Sequence, residues 1–391
     1  MHIVLPKLSL YIHIPWCTRR CPYCDFNSHV RRTKVPEDEY INALLEDFSL
    51  DLARYRLSRG ERQLHSIFIG GGTPSLFSAE GITHLLQGVQ DRIPFEANIE
   101  ITMEANPGSA EAARFAQYRR AKVNRISIGI QSFEPAKLKK LGRVHGRREA
   151  IYAALLAHKI GLSNFNLDIM YGLPDQSLSQ ALADLDLVID LEPPHMSWYQ
   201  LTLEPNTPFY SNPPTLPDDD NLWDIFQQGH EKLTNAGYVQ YEVSSYSKAS
   251  RYRCHHNLNY WHFGDYLGIG CGSHSKISFS DGRIIRSTKT RLPERYLNRP
   301  RQYLDREKDI TEEERPFEFF MNRFRLLEAC PKREFMEKTG LSLDSIQNAI
   351  DDAVNEKYLY ETEKSWVPTY KGKLFLNDLL ANFIKKRGGQ L

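Results

Sequence analysis

Three cysteines fall within eight residues: Cys17, Cys21 and Cys24, spaced C-x3-C-x2-C. Clustered thiolates are soft ligands, which select zinc, copper(I) or iron–sulfur centres. A closed 4Fe-4S site takes four cysteines, and no fourth stands nearby. Three thiols would leave one iron of such a cluster without a protein ligand. That iron could take a small molecule, as a catalytic zinc keeps an open position. Two other readings stand beside this one. One is a zinc knuckle completed by His29, and the other is a set of buried thiols that bind nothing. Cys254, Cys271 and Cys330 are scattered, and the last two read as small buried residues.

Further groups recur where strands are expected to end. Apolar runs predict strands at 9–14, 66–69, 98–104, 125–130, 164–171 and 195–202. Helical spacing follows each, at 36–57, 78–93, 109–120, 147–160, 177–191 and 222–236. Such alternation implies an α/β fold with a parallel sheet and right-handed crossovers, either a partial (β/α)6 barrel or an open wound sheet. In (β/α) barrels chemistry gathers at the C-terminal ends of the strands. The cysteine loop follows the first strand and Gly70-Gly71-Gly72-Thr73 the second. Glu104 ends the third and Gln131 the fourth, Asp168 lies in the fifth, and Tyr199 and Gln200 lie in the sixth. Glycines let backbone approach a ligand, because no Cβ intervenes. Glu104 and Asp168 are acceptors suited to an ammonium or to ribose hydroxyls. Arg143 could fork a carboxylate, or it could be a solvated charge beside Lys139 and Lys140.

The 391 residues are 41% hydrophobic and 25% charged, which fits one large and one smaller globular unit. Lys plus Arg number 50 against 49 Asp plus Glu, a balance without the footprint of a nucleic-acid or anionic-membrane binder. No apolar run reaches the roughly 20 residues of a membrane span, and residues 8–16 are too short for a signal peptide. The cytoplasm is therefore the expected compartment, where cysteines serve as ligands or stay as thiols. Organisation is expected as 1–240 for the barrel, 241–308 for an extension and 309–391 for a small helical, winged-helix-like module. That module has helices at 312–329, 331–338 and 343–356, a short β pair, and a helix from Gly372. Mixed surface charge makes it a docking or lid unit rather than a DNA reader.

In the extension, His256-Asn257-Leu258-Asn259-Tyr260-Trp261 reads H-N-x-x-Y-W. A neutral imidazole can ligate haem iron, and Tyr260 and Trp261 could stack on a flat macrocycle. Cys254 and His255 are alternative ligands. The residues alone favour a plainer reading, a loop whose aromatics pack on the barrel.

The cysteine spacing is the hallmark of the radical S-adenosylmethionine superfamily, which this chain resembles. The segments Tyr11-Ile-His13-Ile-Pro15, Gly70-Gly-Gly-Thr-Pro-Ser75, Glu104-Ala-Asn-Pro107, Gly129-Ile-Gln131-Ser-Phe133 and Asp168-Ile-Met-Tyr-Gly-Leu-Pro174 are similar to the oxygen-independent coproporphyrinogen III oxidase branch. The resemblance implies that cluster iron chelates the amino and carboxylate groups of S-adenosylmethionine. It implies that Tyr11, Gly71, Gly72, Thr73, Glu104, Gln131, Arg143 and Asp168 line that site, and that electron transfer can release a 5′-deoxyadenosyl radical. Two departures point to a sister group of haem chaperones. Phe26 stands where the oxidases carry a further cysteine, and the first strand begins within ten residues of Met1. In that group the H-N-x-x-Y-W residues His256, Asn257, Tyr260 and Trp261 are expected at bound haem. The first expectation is thus a haem chaperone serving an acceptor such as a respiratory haem protein. Peripheral membrane association through a partner and a homodimer are left open, as is catalysis. The alternative is radical decarboxylation of two propionates of coproporphyrinogen III. An iron–sulfur sensor with a winged-helix output ranks third.

Overall fold

The computed structural model of the chain describes residues 3–30, 34–57 and 62–384. The remaining residues of the expected 1–240 and 309–391 units lie outside the described ones. Six strands run parallel and side by side in chain order: β1 (Leu8–Ile14), β2 (Leu64–Gly71), β3 (Phe95–Ala105), β4 (Arg125–Gln131), β5 (Phe165–Tyr171) and β6 (His195–Gln200). The principal helices between and after them are α1 (Glu37–Arg54), α2 (Ala79–Arg92), α3 (Arg147–Lys159), α4 (Leu178–Asp190) and α5 (Asp219–Asn235). This is the expected α/β partial barrel.

Period-two alternation divides the two faces of the strands. Ile12, Ile69, Met103, Ile126, Ile128 and Leu167 join the main apolar core together with Tyr40, Ile41, Leu44 and Phe48 of α1. Fully burying such a side chain stabilises by roughly 1.5–3 kcal/mol. The alternate residues make a polar face. Glu104 stands beside Ser127, Ser127 beside Asn166, and Asn166 beside His195 in register. Helix ends are set locally. Glu37, Asp38 and Glu39 occupy the first turn of α1, where the helix dipole favours negative charge. The Ser78 side chain accepts from Gly81 N at 2.9 Å to cap α2, and Ser177 with Gln180 forms a capping box on α4.

The sheet extends beyond the six strands. On one edge lie β7 (Val239–Glu242) and β8 (Ser245–Ser247), with β8 antiparallel to β6. On the other, β9 (Asp265–Ile269) pairs parallel with β1, and β10 (His274–Ser278), β11 (Ile284–Lys289) and β12 (Leu304–Asp309) follow antiparallel. The result is one twelve-stranded sheet that does not close.

Local expectations need three corrections. The helix expected over 109–120 is two, Ser109–Ala112 and Phe115–Arg120. Between them Arg114 turns to donate to Ser75 O at 3.1 Å. The helix expected over 312–329 spans only Arg315–Arg323. There the backbone leaves to pair with β7, through Leu327 N to Tyr241 O at 3.1 Å and Val243 N to Arg325 O at 3.0 Å. The H-N-x-x-Y-W segment is no loop but helix α6 (His255–Trp261).

The last part of the chain combines a three-stranded sheet of Cys330–Pro331, Ser365–Pro368 and Leu359–Glu361 with helices Lys332–Thr339 and Gln347–Asn355, a winged-helix-like arrangement. Its core of Phe319, Phe320, Phe335 and Trp366 also takes in Ile3, Phe263 and Ile284 from earlier segments. Among the described residues no helix is long and apolar enough to cross a membrane.

Candidate functional site

A cavity of about 460 Å³ opens at the C-terminal ends of β1–β6. Cys17, Cys21 and Cys24 line one side, and all three are free thiols. Burial pushes the Cys17 and Cys24 thiols up, and the neighbouring cysteines add to the shift. Thiols held this way need a cation to deprotonate, and metal binding supplies one. Arg143 Nη1 lies 3.9 Å from Cys21 Sγ, so a positive group already faces the sulfurs.

The triglycine serves the loop more directly than it serves a ligand. Gly71 has φ +121°, and a Cβ there would lie 2.6 Å from the His13 ring. A Cβ on Gly72 would lie 2.5 Å from the Trp16 carbonyl oxygen. Gly72 N donates to Ile14 O at 2.7 Å and Thr73 N to Trp16 O at 2.8 Å. The end of β2 thus braces the backbone leading into Cys17. Gly71 N also donates to Glu104 Oε2 at 2.9 Å, turning that carboxylate into the cavity.

Glu104 has its pKa raised to about 7, first by burial and then by Asp168. Burial raises Asp168 as well, against hydrogen bonds from Ser127 at 2.9 Å and Asn166 at 2.8 Å. Two carboxylates disfavoured as anions in one cavity suit a cationic or hydroxyl-bearing ligand. Gln131 reaches the cavity through a register shift in β4 and holds φ +70°, rare for a non-glycine. Its Oε1 accepts from Tyr199 at 2.9 Å. Arg143 is no surface charge. Its Nη2 donates to Asn106 Oδ1 at 2.7 Å and Gly129 O at 2.6 Å, while its Nε is buried without an acceptor.

Of the eight residues expected at S-adenosylmethionine, seven line this cavity: Gly71, Gly72, Thr73, Glu104, Gln131, Arg143 and Asp168. Tyr11 does not line it: its hydroxyl is 3.0 Å from His13 Nδ1 and its ring stacks on Phe68, while burial raises its pKa and Glu104 is near enough to push it further up. The donor set fits a three-thiolate cluster with a fourth iron left to a ligand. The zinc alternative requires donors converging on one ion about 2.3 Å from each sulfur. Among the described residues no group of three His, Cys, Asp or Glu is arranged to hold a single metal ion, and His29 Nε2 lies 3.3 Å from Asn27 Oδ1. A cluster asks less convergence, because each thiolate takes a different iron.

Helix α6 splits the four residues expected at haem. With i, i+4 spacing, Asn257 and Trp261 share one face and line the cavity. His256 and Tyr260 share another face, turned into the protein. His256 is 1% exposed, with Nδ1 3.0 Å from Ser66 Oγ and Nε2 2.9 Å from Tyr260 Oη. Burial lowers its pKa to about 3. Both ring nitrogens are spent, so His256 seats the helix instead of offering an axial ligand. Glu100 holds the helix start, accepting from His255 N and His256 N, each at 3.1 Å. Cys254, an alternative ligand, is 1% exposed and its thiol is pushed up to about 12 by burial.

Sequence reasoning missed Asn106, Ser127, Glu242, Ser244 and Ser245, which also line the cavity. Asn106 lay inside a recognised segment and could have been found. Glu242, Ser244 and Ser245 arrive on the β7–β8 hairpin, which carries no local signal.

Fold and site together define a radical S-adenosylmethionine protein, and the Radical SAM superfamily description matches residues 11–188. The HemN C-terminal domain description matches 310–375. The Heme chaperone HemW of Escherichia coli is 58% identical over 98% of this chain and 99% of its own length. That of Haemophilus influenzae is also 58% identical, over 97% and 98%. The chain belongs to the HemW family. Its fold is similar to that of coproporphyrinogen III oxidase (HemN) from Escherichia coli, with a TM-score of 0.82 at 22% identity over 97% of this chain and 91% of that one.

Proposed function

We propose that this protein is a haem chaperone. In this reading it takes haem against the Asn257–Trp261 face of α6 and passes it to an acceptor such as a respiratory haem protein. Cys17, Cys21 and Cys24 hold a 4Fe-4S cluster whose open iron takes S-adenosylmethionine. The observation that carries the reading is that one cavity joins the three cysteines to Asn257 and Trp261. Family membership supports it. Phe26 adds support, lining the same cavity while 55% exposed, since apolar surface at a mouth fits a flat apolar cargo.

Glu104 and Asp168 accept from the amino N–H groups and ribose hydroxyls of the nucleoside ligand, and Arg143 faces its carboxylate. When bound, the cluster supplies single electrons to a sulfonium. Work is assigned to the cytoplasm, any membrane contact being made by the acceptor, because a net charge of +1 gives little pull toward an anionic surface.

The test is a haem titration of anaerobically reconstituted protein, followed at the Soret band. Saturable binding that weakens in Trp261→Ala, with iron content unchanged, is expected. Absence of specific binding to the wild type would sink the chaperone reading. Formation of protoporphyrinogen from coproporphyrinogen III under reducing, anaerobic conditions would replace it with the oxidase.

A further inference from the structure

A line of buried hydrogen bonds crosses the polar face of the sheet from the cavity to α6. Asn166 Nδ2 donates to Asp168 Oδ1 at 2.8 Å. His195 Nδ1 meets Asn166 Oδ1 at 2.6 Å, and His195 Nε2 meets the Tyr241 hydroxyl at 2.8 Å. Cys254 N, at the start of α6, donates to that same hydroxyl at 3.2 Å. Asn166, His195, Tyr241 and Cys254 are each under 5% exposed, so no solvent competes for these bonds.

Both ends of the line have fixed polarity. The Asp168 carboxylate accepts, so Asn166 turns its amide nitrogen to it and its oxygen to His195. His195 Nδ1 must then carry a hydrogen. Burial lowers the His195 pKa well below its usual value, which leaves Nε2 bare and ready to accept the Tyr241 O–H. A backbone N–H only donates, and Cys254 N fills a lone pair of the Tyr241 oxygen. Every link has one consistent direction, and removing the Tyr241 hydroxyl leaves His195 Nε2 and Cys254 N without the partner they share.

We infer that His195 and Tyr241 are positioning residues that tie Asp168 to the helix carrying Asn257 and Trp261, so that a nucleoside ligand at Asp168 and a flat macrocycle at the helix strengthen each other's binding. This rests on the chaperone reading above and adds a coupling between its two ligands. The two ends occupy different elements, β5 and α6, and this line runs from one to the other through β6 and β7. A ligand that steadies Asp168 steadies the Asn166 amide, the His195 tautomer and the Tyr241 hydroxyl in turn. It thereby fixes Cys254, the residue that caps α6. Coupling of this kind is reciprocal by thermodynamic necessity.

The experiment measures haem affinity of the cluster-reconstituted full chain, with and without saturating S-adenosylmethionine, and S-adenosylmethionine affinity with and without haem. In the wild type each ligand should tighten the other by the same factor, about fivefold or more. Tyr241→Phe keeps the ring and removes the hydroxyl. It should bring that factor down toward one while leaving iron content and the affinity for each ligand alone near wild type. His195→Phe cuts the line at its middle and should behave alike. A purely structural role would weaken both ligands and leave their ratio intact, which would overturn the inference. A ratio of one in the wild type would also overturn it, with the chaperone reading still standing. A wild type that takes up no haem defeats both.

Discussion

Cys21 stands between the other two thiols in the loop and faces Arg143 Nη1 at 3.9 Å. Cys21→Ser should abolish the brown absorbance of reconstituted protein and cut its iron and sulfide content. Full retention of both would defeat the ligand assignment. Glu104 makes a pH prediction. Burial and Asp168 raise its pKa from 4.5 to about 7, so the folded state prefers the protonated acid. Its contribution to stability is therefore fully present below pH 4.5 and lost as pH rises through about 7. A ligand that carries a sulfonium charge and donates N–H groups into the cavity has the opposite need, the ionised form. Affinity for S-adenosylmethionine should fall as pH drops below about 7, by up to about tenfold per unit for one linked proton. Equilibrium dialysis across that range checks it, and Glu104→Gln should flatten the profile.

At the scale of elements, α6 has seven residues, too few to be stable alone. Glu100 and His256 attach it to the sheet from below, and Asn257 and Trp261 face the cavity above. The two faces should separate by experiment. His256→Ala leaves Ser66 and Tyr260 without their shared partner and should lower unfolding stability by about 1–3 kcal/mol, read as a shifted denaturant midpoint. Trp261→Ala should weaken haem uptake with a smaller stability loss. The β2 exit makes a comparable case. Gly72→Ala places a methyl 2.5 Å from a backbone oxygen, so the loop carrying Cys17 must shift, and cluster content should fall even though no ligand is altered.

For the whole molecule, the extension and the C-terminal module hold the barrel's open edge. Lys289 of β11 places Nζ 2.5 Å from Asp47 Oδ1 and 2.7 Å from Asp51 Oδ1, both on α1 and all three buried. Lys289→Ala would strand two buried carboxylates. A loss of about 3–5 kcal/mol in urea unfolding is expected, the usual cost of removing one partner of a buried pair. Phe263 and Ile284 pack in one cluster with Phe319 and Phe320. A chain ending at residue 308 would expose them and should aggregate, which light scattering would detect.

The sequence by itself determined the six strand–helix units, because each strand is a run of buried β-formers and each long helix carries its own cap or apolar stripe. It also marked the cysteine loop as the candidate site, since three thiols within eight residues need no distant partner to be recognised. Tertiary structure decided what depends on contacts between remote segments. It buried Arg143, which local sequence could present as solvated, against Asn106 and Gly129. It wound the H-N-x-x-Y-W segment into a helix and turned His256 away from the cavity, because Ser66 and Glu100 lie over 150 residues earlier in the chain. It added β9 beside β1 and brought Glu242 and Tyr241 to the polar interior. Local spacing fixes which face of an element is polar, but only packing fixes what that face meets.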